Sequence, residues 1–185
     1  MKVKKCKRII SFDECFTTKI GQNPEDIKPS SICGQYLITH PDIDVQRLIE
    51  DAHVVPDQKK SKYNQKNCYI PGTLVPNGND LLMAFARLDE RGKGHFFTRD
   101  EYIECLDHLW KELEYYYAGS DVCIPILGSG ITSFDGSSGA SYSQQELLDI
   151  ILTSYKLTSH KIKSPKKLRI ICRKTDGFSL DAIER

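Results

Sequence analysis

The stretch Val122-Cys123-Ile124-Pro125-Ile126-Leu127-Gly128-Ser129-Gly130 is the most informative part of this 185-residue chain. Its apolar start, rich in branched side chains, predicts a buried parallel strand. Downstream, Ser143-Gln144-Gln145-Glu146 is a capping-box pattern that predicts the start of a helix. The order is therefore strand, glycine loop, helix. Because glycine lets backbone N–H groups approach a ligand closely, and those groups bind phosphate, we expect a small phosphate-bearing ligand.

The glycine loop also has a purely geometric interpretation, because tight strand-to-helix turns use glycine for its backbone freedom alone. Both interpretations stay open from the loop by itself. Two well-known phosphate loops are excluded. No Gly-Lys-Ser/Thr follows the glycines, as a Walker loop requires, and the third glycine of a dinucleotide fingerprint is missing.

Composition excludes several classes of protein. The length suits one domain with a substantial core, and the formal net charge of +1 argues against a surface dedicated to duplex nucleic acid. The seven cysteines form no Cys-x-x-Cys pair, which indicates a reducing compartment and not a disulfide scaffold or zinc site. No signal peptide or membrane-spanning stretch is visible, so we expect a cytoplasmic protein.

Apolar patterning predicts an alternation of strands and helices. The predicted strands include Arg8–Phe12, Leu81–Ala86, the strand before the glycine loop, and Lys167–Cys172. The predicted helices begin after caps at Asp42, Thr98, Ser143 and Ser179. Residues 19–34 are predicted to be a long loop, and Asn77–Asp80 a hairpin turn. The alternation indicates an α/β domain with a mostly parallel or mixed sheet.

Candidate catalytic groups are few. The five histidines share no metal-ligand spacing, with His108 expected on the polar face of a helix and His95 in a loop. No Gly-x-Ser-x-Gly elbow occurs, so a hydrolase triad is unsupported. Asp13 and Glu14 follow a strand, where they are well placed either to contact a ligand or to cap a helix beginning near Phe16. Both interpretations stay open.

The order of segments resembles a macro domain, the ADP-ribose-binding three-layer α/β/α fold with a central mixed sheet. It is similar in particular to the divergent macro-like domain of ThsA proteins from Thoeris antiphage defence. The segments that carry the resemblance are Ile9–Thr18, Tyr69–Thr73, Leu81–Ala86, Ile124–Ile131 and Lys167–Cys172. They extend over most of the chain, so we expect one nucleotide-binding domain over residues 1–185, excised from a longer chain with an upstream membrane or effector segment.

The resemblance also implies a ligand site. The glycine loop, residues 128–132, would wrap a diphosphate and the distal ribose, and residues 13–17 would contact that ribose from the opposite side. Residues 72–73 would lie at the same rim, and Phe134 would pack against the ligand or close the loop. The implied ligand-binding residues are Asp13, Phe16, Thr17, Gly72, Thr73, Gly128, Ser129, Gly130, Ile131, Thr132 and Phe134.

The function implied is that of a sensor in bacterial immunity. A TIR-domain enzyme would make an ADP-ribose derivative, and its binding would activate an effector through self-association or an upstream, membrane-tethered segment, with the loop at 19–34 becoming ordered. No metal, further cofactor or nucleic acid is expected. The alternatives are a hydrolase of ADP-ribosyl groups or of a cyclic nucleotide, and an interaction module whose glycine loop is structural.

The chain departs from ordinary macro domains at several positions. It lacks the Gly-Asp-Ile/Val-Thr segment that holds adenine, so adenine recognition is unassigned, and it lacks the Asn-rich loop with a Gly-Gly-Gly run, which favours binding over turnover. Asp13 stands where the related pattern has Asn, and Thr17 replaces an acidic residue. A carboxylate beside a diphosphate would repel it unless Asp13 accepts hydrogen bonds from the ribose or the base.

Substituting Gly130→Val should abolish nucleotide binding and leave the melting temperature nearly unchanged, because a branched side chain blocks close approach of phosphates to the loop backbone. Calorimetric titration and a thermal melt measure the two quantities. Binding equal to that of the unsubstituted chain would remove the glycine loop from the site.

Overall fold

The computed structural model describes residues 6–96, 98–129, 133–134, 142–173 and 179. Secondary structure begins with a strand and alternates along the chain, as predicted. The elements are β1 (Cys6–Asp13), α1 (Ile32–Thr39), α2 (Val45–Asp51), β2 (Leu74–Asn77), β3 (Asp80–Leu88), β4 (Gly94–Phe96), α3 (Arg99–Tyr116), β5 (Asp121–Pro125), β6 (Ser133–Phe134), α4 (Gln144–Leu157) and β7 (Leu168–Ile171).

The described strands form one mixed sheet with the order β6-β4-β3-β1-β5-β7, and β2 pairs with β3 beside that path. Strand β1 runs parallel to both β3 and β5, and β5 runs parallel to β7. The hairpin partners β2 and β4 are antiparallel to β3. The prediction of a mixed sheet is confirmed. The parallel centre brings the carboxyl ends of β1, β3, β5 and β7 to one edge.

Strand β3 separates two apolar cores. Leu81, Met83 and Phe85 belong to the core that also contains side chains of α3 and α4. Leu82 and Ala84 belong to the core that contains side chains of α1 and α2. Because neighbouring strand residues face opposite sides of a sheet, both faces of β3 are buried and its run of apolar residues is nearly unbroken. The three-layer α/β/α architecture is therefore confirmed.

Local capping explains where the helices begin. The Ser143 hydroxyl accepts from the Glu146 N–H while the Glu146 side chain accepts from the Ser143 N–H, so the predicted capping box is confirmed. The Thr98 hydroxyl caps α3 as predicted. The prediction of Asp42 as the cap of α2 is wrong. Asp44, directly before the helix, accepts from the Arg47 N–H at 3.0 Å. The helix predicted after Ser179 lies outside the described residues.

The loop predicted over residues 19–34 ends earlier than expected. Helix α1 begins at Ile32, because the Ser31 hydroxyl accepts from the Gly34 N–H at 2.9 Å and acts as its N-cap. Gly34 is therefore a helical residue and not a turn residue. Its glycine identity has a packing cause, since a Cβ there would collide with the Lys28 carbonyl oxygen.

All seven cysteines are free thiols. In the part of the chain that the structure describes, every helix is too short or too polar to cross a lipid bilayer.

Substituting Gly34→Ala should destabilise the protein by about 1–3 kcal/mol, because the added methyl group overpacks the contact with the Lys28 carbonyl. Helix propensity alone would give the opposite sign, by about 1 kcal/mol. Chemical denaturation measures the free energy of unfolding. Ile38→Ala, at a half-exposed position of the same helix, is the control and should change that free energy by less than about 1 kcal/mol. A stabilised Gly34→Ala variant would contradict the packing argument.

Candidate functional site

A cavity of about 540 Å³ lies at the edge where the parallel strands end. Its wall contains Phe12 and Asp13 from the end of β1, the segment 125–129 from the end of β5, and Phe85 and Ala86 from β3. Residues 24–28, before α1, and residues 92–94, in the β3–β4 turn, line it as well. Ligands of open α/β folds bind outside the carboxyl ends of strands, so this cavity is the candidate site.

The turn after β5 is held in a defined conformation. Gly128 has a φ of +83°, a left-handed conformation that is strained for residues with a Cβ. The Ser129 hydroxyl donates to the Ile126 carbonyl at 2.7 Å, and the Ser129 N–H donates to the same oxygen at 3.3 Å. From the helix layer, the buried Tyr102 hydroxyl donates to the Leu127 carbonyl at 2.9 Å. These bonds fix the turn against β5 and α3.

The structure describes only the first part of the predicted glycine loop. Gly130, Ile131 and Thr132 lie outside the described residues, so their contacts stay predictions. Phe134 belongs to β6, where its backbone is the register partner of Phe96 in β4. Its role towards a ligand stays a prediction too.

The interpretation of Asp13 and Glu14 as caps of a helix beginning near Phe16 is wrong, because the first helix after β1 begins at Ile32, and the contact of Asp13 with a ligand stays a prediction. Asp13 is among the residues that line the cavity, and its Oδ1 accepts from the N–H groups of Cys15 at 2.8 Å and Thr17 at 3.1 Å. The side chain is buried, and desolvation raises the pKa of Asp13, although the hydrogen bonds from Thr17 and Cys15 act in the opposite direction. The carboxyl group thus shapes the turn after β1 and adds a polar group to the cavity wall.

Glu14 connects the ends of two neighbouring strands through hydrogen bonds. Its Oε1 accepts from the Leu88 N–H at 3.2 Å, and its own N–H donates to the Ala86 carbonyl at 2.8 Å. These bonds tie the end of β1 to the end of β3. Burial raises the pKa of Glu14, while the hydrogen bond from Leu88 lowers it.

Phe16 and Thr17 are not among the residues that line the cavity. Phe16 is buried between Phe12 and Tyr69, with ring centroids 5.8 and 5.4 Å away. Its φ of +52° reverses the chain after Asp13. Thr17 meets Asp13 through its backbone N–H. Their predicted contact with a ribose therefore stays a prediction that the cavity geometry does not support.

Gly72 and Thr73 lie against α3, away from the cavity lining. Gly72 has a φ of +100°, and a Cβ there would meet the Cys105 carbonyl of α3. The Thr73 hydroxyl lies 3.2 Å from Nε2 of His108. His108, predicted on the polar face of its helix, is half-buried beside this hydroxyl, and burial lowers its pKa. His95, predicted in a loop, lies in β4.

Sequence reasoning missed most of the charged groups around the cavity. Lys28, Lys93 and Arg173 line it, together with Glu25 and Asp26. Lys28 could have been found from the sequence, because it lies in the loop predicted over residues 19–34, which follows the central strand β1. Among the described residues, no group of three or more His, Cys, Asp or Glu side chains is arranged to hold a metal ion.

Comparison with known proteins shows what this chain is similar to. A family model described as the macro domain of the Thoeris protein ThsA matches residues 1–173. The chain is also similar to the Thoeris protein ThsA of Bacillus amyloliquefaciens (strain Y2), with 28% identity over 180 residues. The alignment covers 91% of this chain and 58% of that relative, so the chain spans little more than half of the relative's length.

The stability difference between Asp13→Asn and the unsubstituted chain should depend on pH. Burial raises the pKa of Asp13 in the folded state. The stabilisation that protonation of Asp13 gives to the folded state is therefore complete below its ordinary pKa of 3.8, and it is lost as pH rises through the raised pKa. The Asn variant keeps an acceptor oxygen and does not titrate there, so its stability relative to the unsubstituted chain should increase from pH 4 to 7.

Urea denaturation across that pH range measures the difference. Asp13→Ala is the matched control, because it also removes the acceptor and should be about 1–3 kcal/mol less stable than Asp13→Asn at every pH. A difference between the Asn variant and the unsubstituted chain that stays constant with pH would contradict the raised pKa.

Proposed function

Because this chain belongs to the family of ThsA macro domains, as the resemblance predicted, we propose that it binds an ADP-ribose-derived nucleotide in the cavity. The nucleotide is a signal made by a TIR-domain enzyme in Thoeris antiphage defence, and the chain is its sensor. The observation that carries this proposal is the cavity of about 540 Å³ beside the Gly128 turn, at the carboxyl ends of β1 and β5.

The size and the polarity of the cavity support the proposal that it binds a nucleotide. Small-molecule sites have volumes of about 300–1,000 Å³ and combine apolar walls with a few polar groups. Ile32 and Ile171, which line the cavity and are partly exposed, supply apolar surface for the ribose or base, and Asp13 supplies an acceptor for a hydroxyl group. If Asp13 accepts a hydrogen bond from a hydroxyl group of the nucleotide, its carboxylate lies away from the phosphates. The repulsion expected between Asp13 and a diphosphate is then avoided.

The diphosphate is assigned to the turn after β5. Gly128 leaves the backbone there without a side chain, and N–H groups of such turns bind phosphate oxygens. Lys93 and Arg173 line the same cavity and carry the positive charge that favours an anion. We propose further that the bound nucleotide activates an effector, either through self-association or through an effector segment of the full-length protein.

Hydrolysis of an ADP-ribosyl or cyclic-nucleotide bond is a second candidate function. The observation in its favour is Asp13, a buried carboxyl group in the cavity wall whose pKa is raised by desolvation. Perturbed carboxyl groups in clefts are typical of general bases. This candidate requires product release, whereas the sensor requires binding without turnover.

Calorimetric titration with ADP-ribose, NAD, cyclic ADP-ribose isomers and amino-acid conjugates of ADP-ribose should identify one modified form that binds far more tightly than ADP-ribose. Lys93→Glu should weaken that binding about tenfold, because it places a negative charge at the cavity. Lys7→Glu is the matched control with the same change in net charge. Lys7 lies near the start of β1, about 13 Å along the strand from Ser11, where the cavity lining begins, and thus beyond the screening length of about 8 Å.

Chromatography of the titrated mixtures separates the two candidate functions. Intact nucleotide at the end of the titration supports the sensor, and release of ADP-ribose supports the hydrolase. Absence of binding across the whole panel, or equal weakening by Lys93→Glu and Lys7→Glu, would contradict the proposed site.

A further inference from the structure

We propose that residues 19–27, called the lid below, open and close over the cavity as one unit. The lid connects the turn after β1 to the segment before α1, and its residues Pro24, Glu25, Asp26 and Ile27 line the cavity. Access of the nucleotide to the cavity is then controlled by a conformational step. The role of the lid in ligand access rests on the proposed function, whereas its movement does not.

The lid holds its own shape through internal bonds. The Ile27 N–H donates to the Lys19 carbonyl at 2.9 Å, and the Gly21 N–H donates to the Ile27 carbonyl at 3.1 Å. Across the tip, the Asn23 N–H donates to Oδ2 of Asp26 at 3.1 Å. Since these bonds join lid residues to one another, they persist when the lid moves.

An ion pair braces the two arms of the lid. The Lys19 ammonium lies 2.9 Å from Oδ1 of Asp26, whose side chain is almost fully buried while that of Lys19 is largely exposed. Gly21 leaves the space that the Asp26 carboxylate occupies, because a Cβ at position 21 would collide with it. The buried carboxylate is therefore part of the lid and moves with it.

The ends of the lid differ in their anchorage. Thr18, before the lid, is exposed. After the lid, the Lys28 carbonyl accepts from the Ser31 N–H at 3.0 Å and packs on Gly34 of α1. Ile20 and Ile27 are half-buried against the core of the α1–α2 layer, which gives the closed position its stability. Movement about these two ends lifts the lid from the cavity.

The tip of the lid meets the β3–β4 turn at Gly92. A Cβ at position 92 would lie 2.6 Å from Cβ of Glu25 and 2.9 Å from the Tyr63 ring. Gly92 has a φ of +76°, a conformation that Asn tolerates better than most residues with a side chain. Asn at position 92 would therefore wedge the lid away from the turn at a small backbone cost.

A buried thiol reports on lid opening. Cys33, in the first turn of α1, lines the cavity and is 4% exposed. Cys105, in α3 on the other side of the sheet, is 2% exposed. Burial raises the pKa of both thiols, so each reacts slowly unless an opening exposes it. We expect Cys33 labelling to follow lid opening, because Cys33 lines the same cavity as the lid, and Cys105 labelling to follow global unfolding.

The test compares Gly92→Asn with Gly78→Asn by iodoacetamide labelling and peptide mass spectrometry. Gly78, in the β2–β3 turn, also has a positive φ, of +60°, but a Cβ there meets nothing within 4 Å. Gly92→Asn should speed Cys33 labelling about tenfold and leave Cys105 unchanged, because only the lid opens. Gly78→Asn should leave both rates close to those of the unsubstituted chain.

Equal Cys33 rates in the unsubstituted chain and both variants would overturn the lid. So would a parallel rise at Cys33 and Cys105, because the thiols would then be exposed by global unfolding. No nucleotide takes part in the labelling, so a failed calorimetric titration would reject the proposed ligand without changing the outcome for the lid.

Discussion

The parallel pairing of β1 between β3 and β5 is the constraint on which the candidate site depends. It brings three strand ends to the same edge, so the segments that follow them must converge there. The end of β1 supplies Asp13 and the segment after it supplies the lid. The segment after β5 supplies Gly128, and the β3–β4 turn supplies Gly92. The two apolar cores on either side of β3 hold these ends in place, and the cavity is the space left between the converging segments.

Local signals in the sequence were sufficient for much of the fold. The run Leu81–Ala86 predicted a central strand because both of its faces are buried. Ser143 and Glu146 predicted the start of α4 because a capping box involves only four consecutive residues. The glycines after β5 predicted a tight turn because glycine has backbone freedom, and Gly128 has a φ of +83° there. In each case the residues that decide the structure are neighbours in the chain.

Features that depend on distant contacts could not be predicted in this way. Gly34 was interpreted as a turn residue because its packing on the Lys28 carbonyl is invisible in the sequence. The position of Gly72 against α3, and the bond from Tyr102 to the Leu127 carbonyl, likewise join segments far apart in the chain. The lid was found as a loop, but its place in the cavity wall follows from the sheet order and not from its own composition.

A crystal structure grown with ADP-ribose at millimolar concentration tests the central claim most directly. The account predicts nucleotide density in the cavity, with a phosphate oxygen within hydrogen-bond distance of the Gly128 N–H and the lid over the ligand. A nucleotide bound elsewhere, such as in the groove of about 310 Å³ between α3 and α4, would contradict it. So would a nucleotide in the cavity whose phosphates point away from the turn after β5.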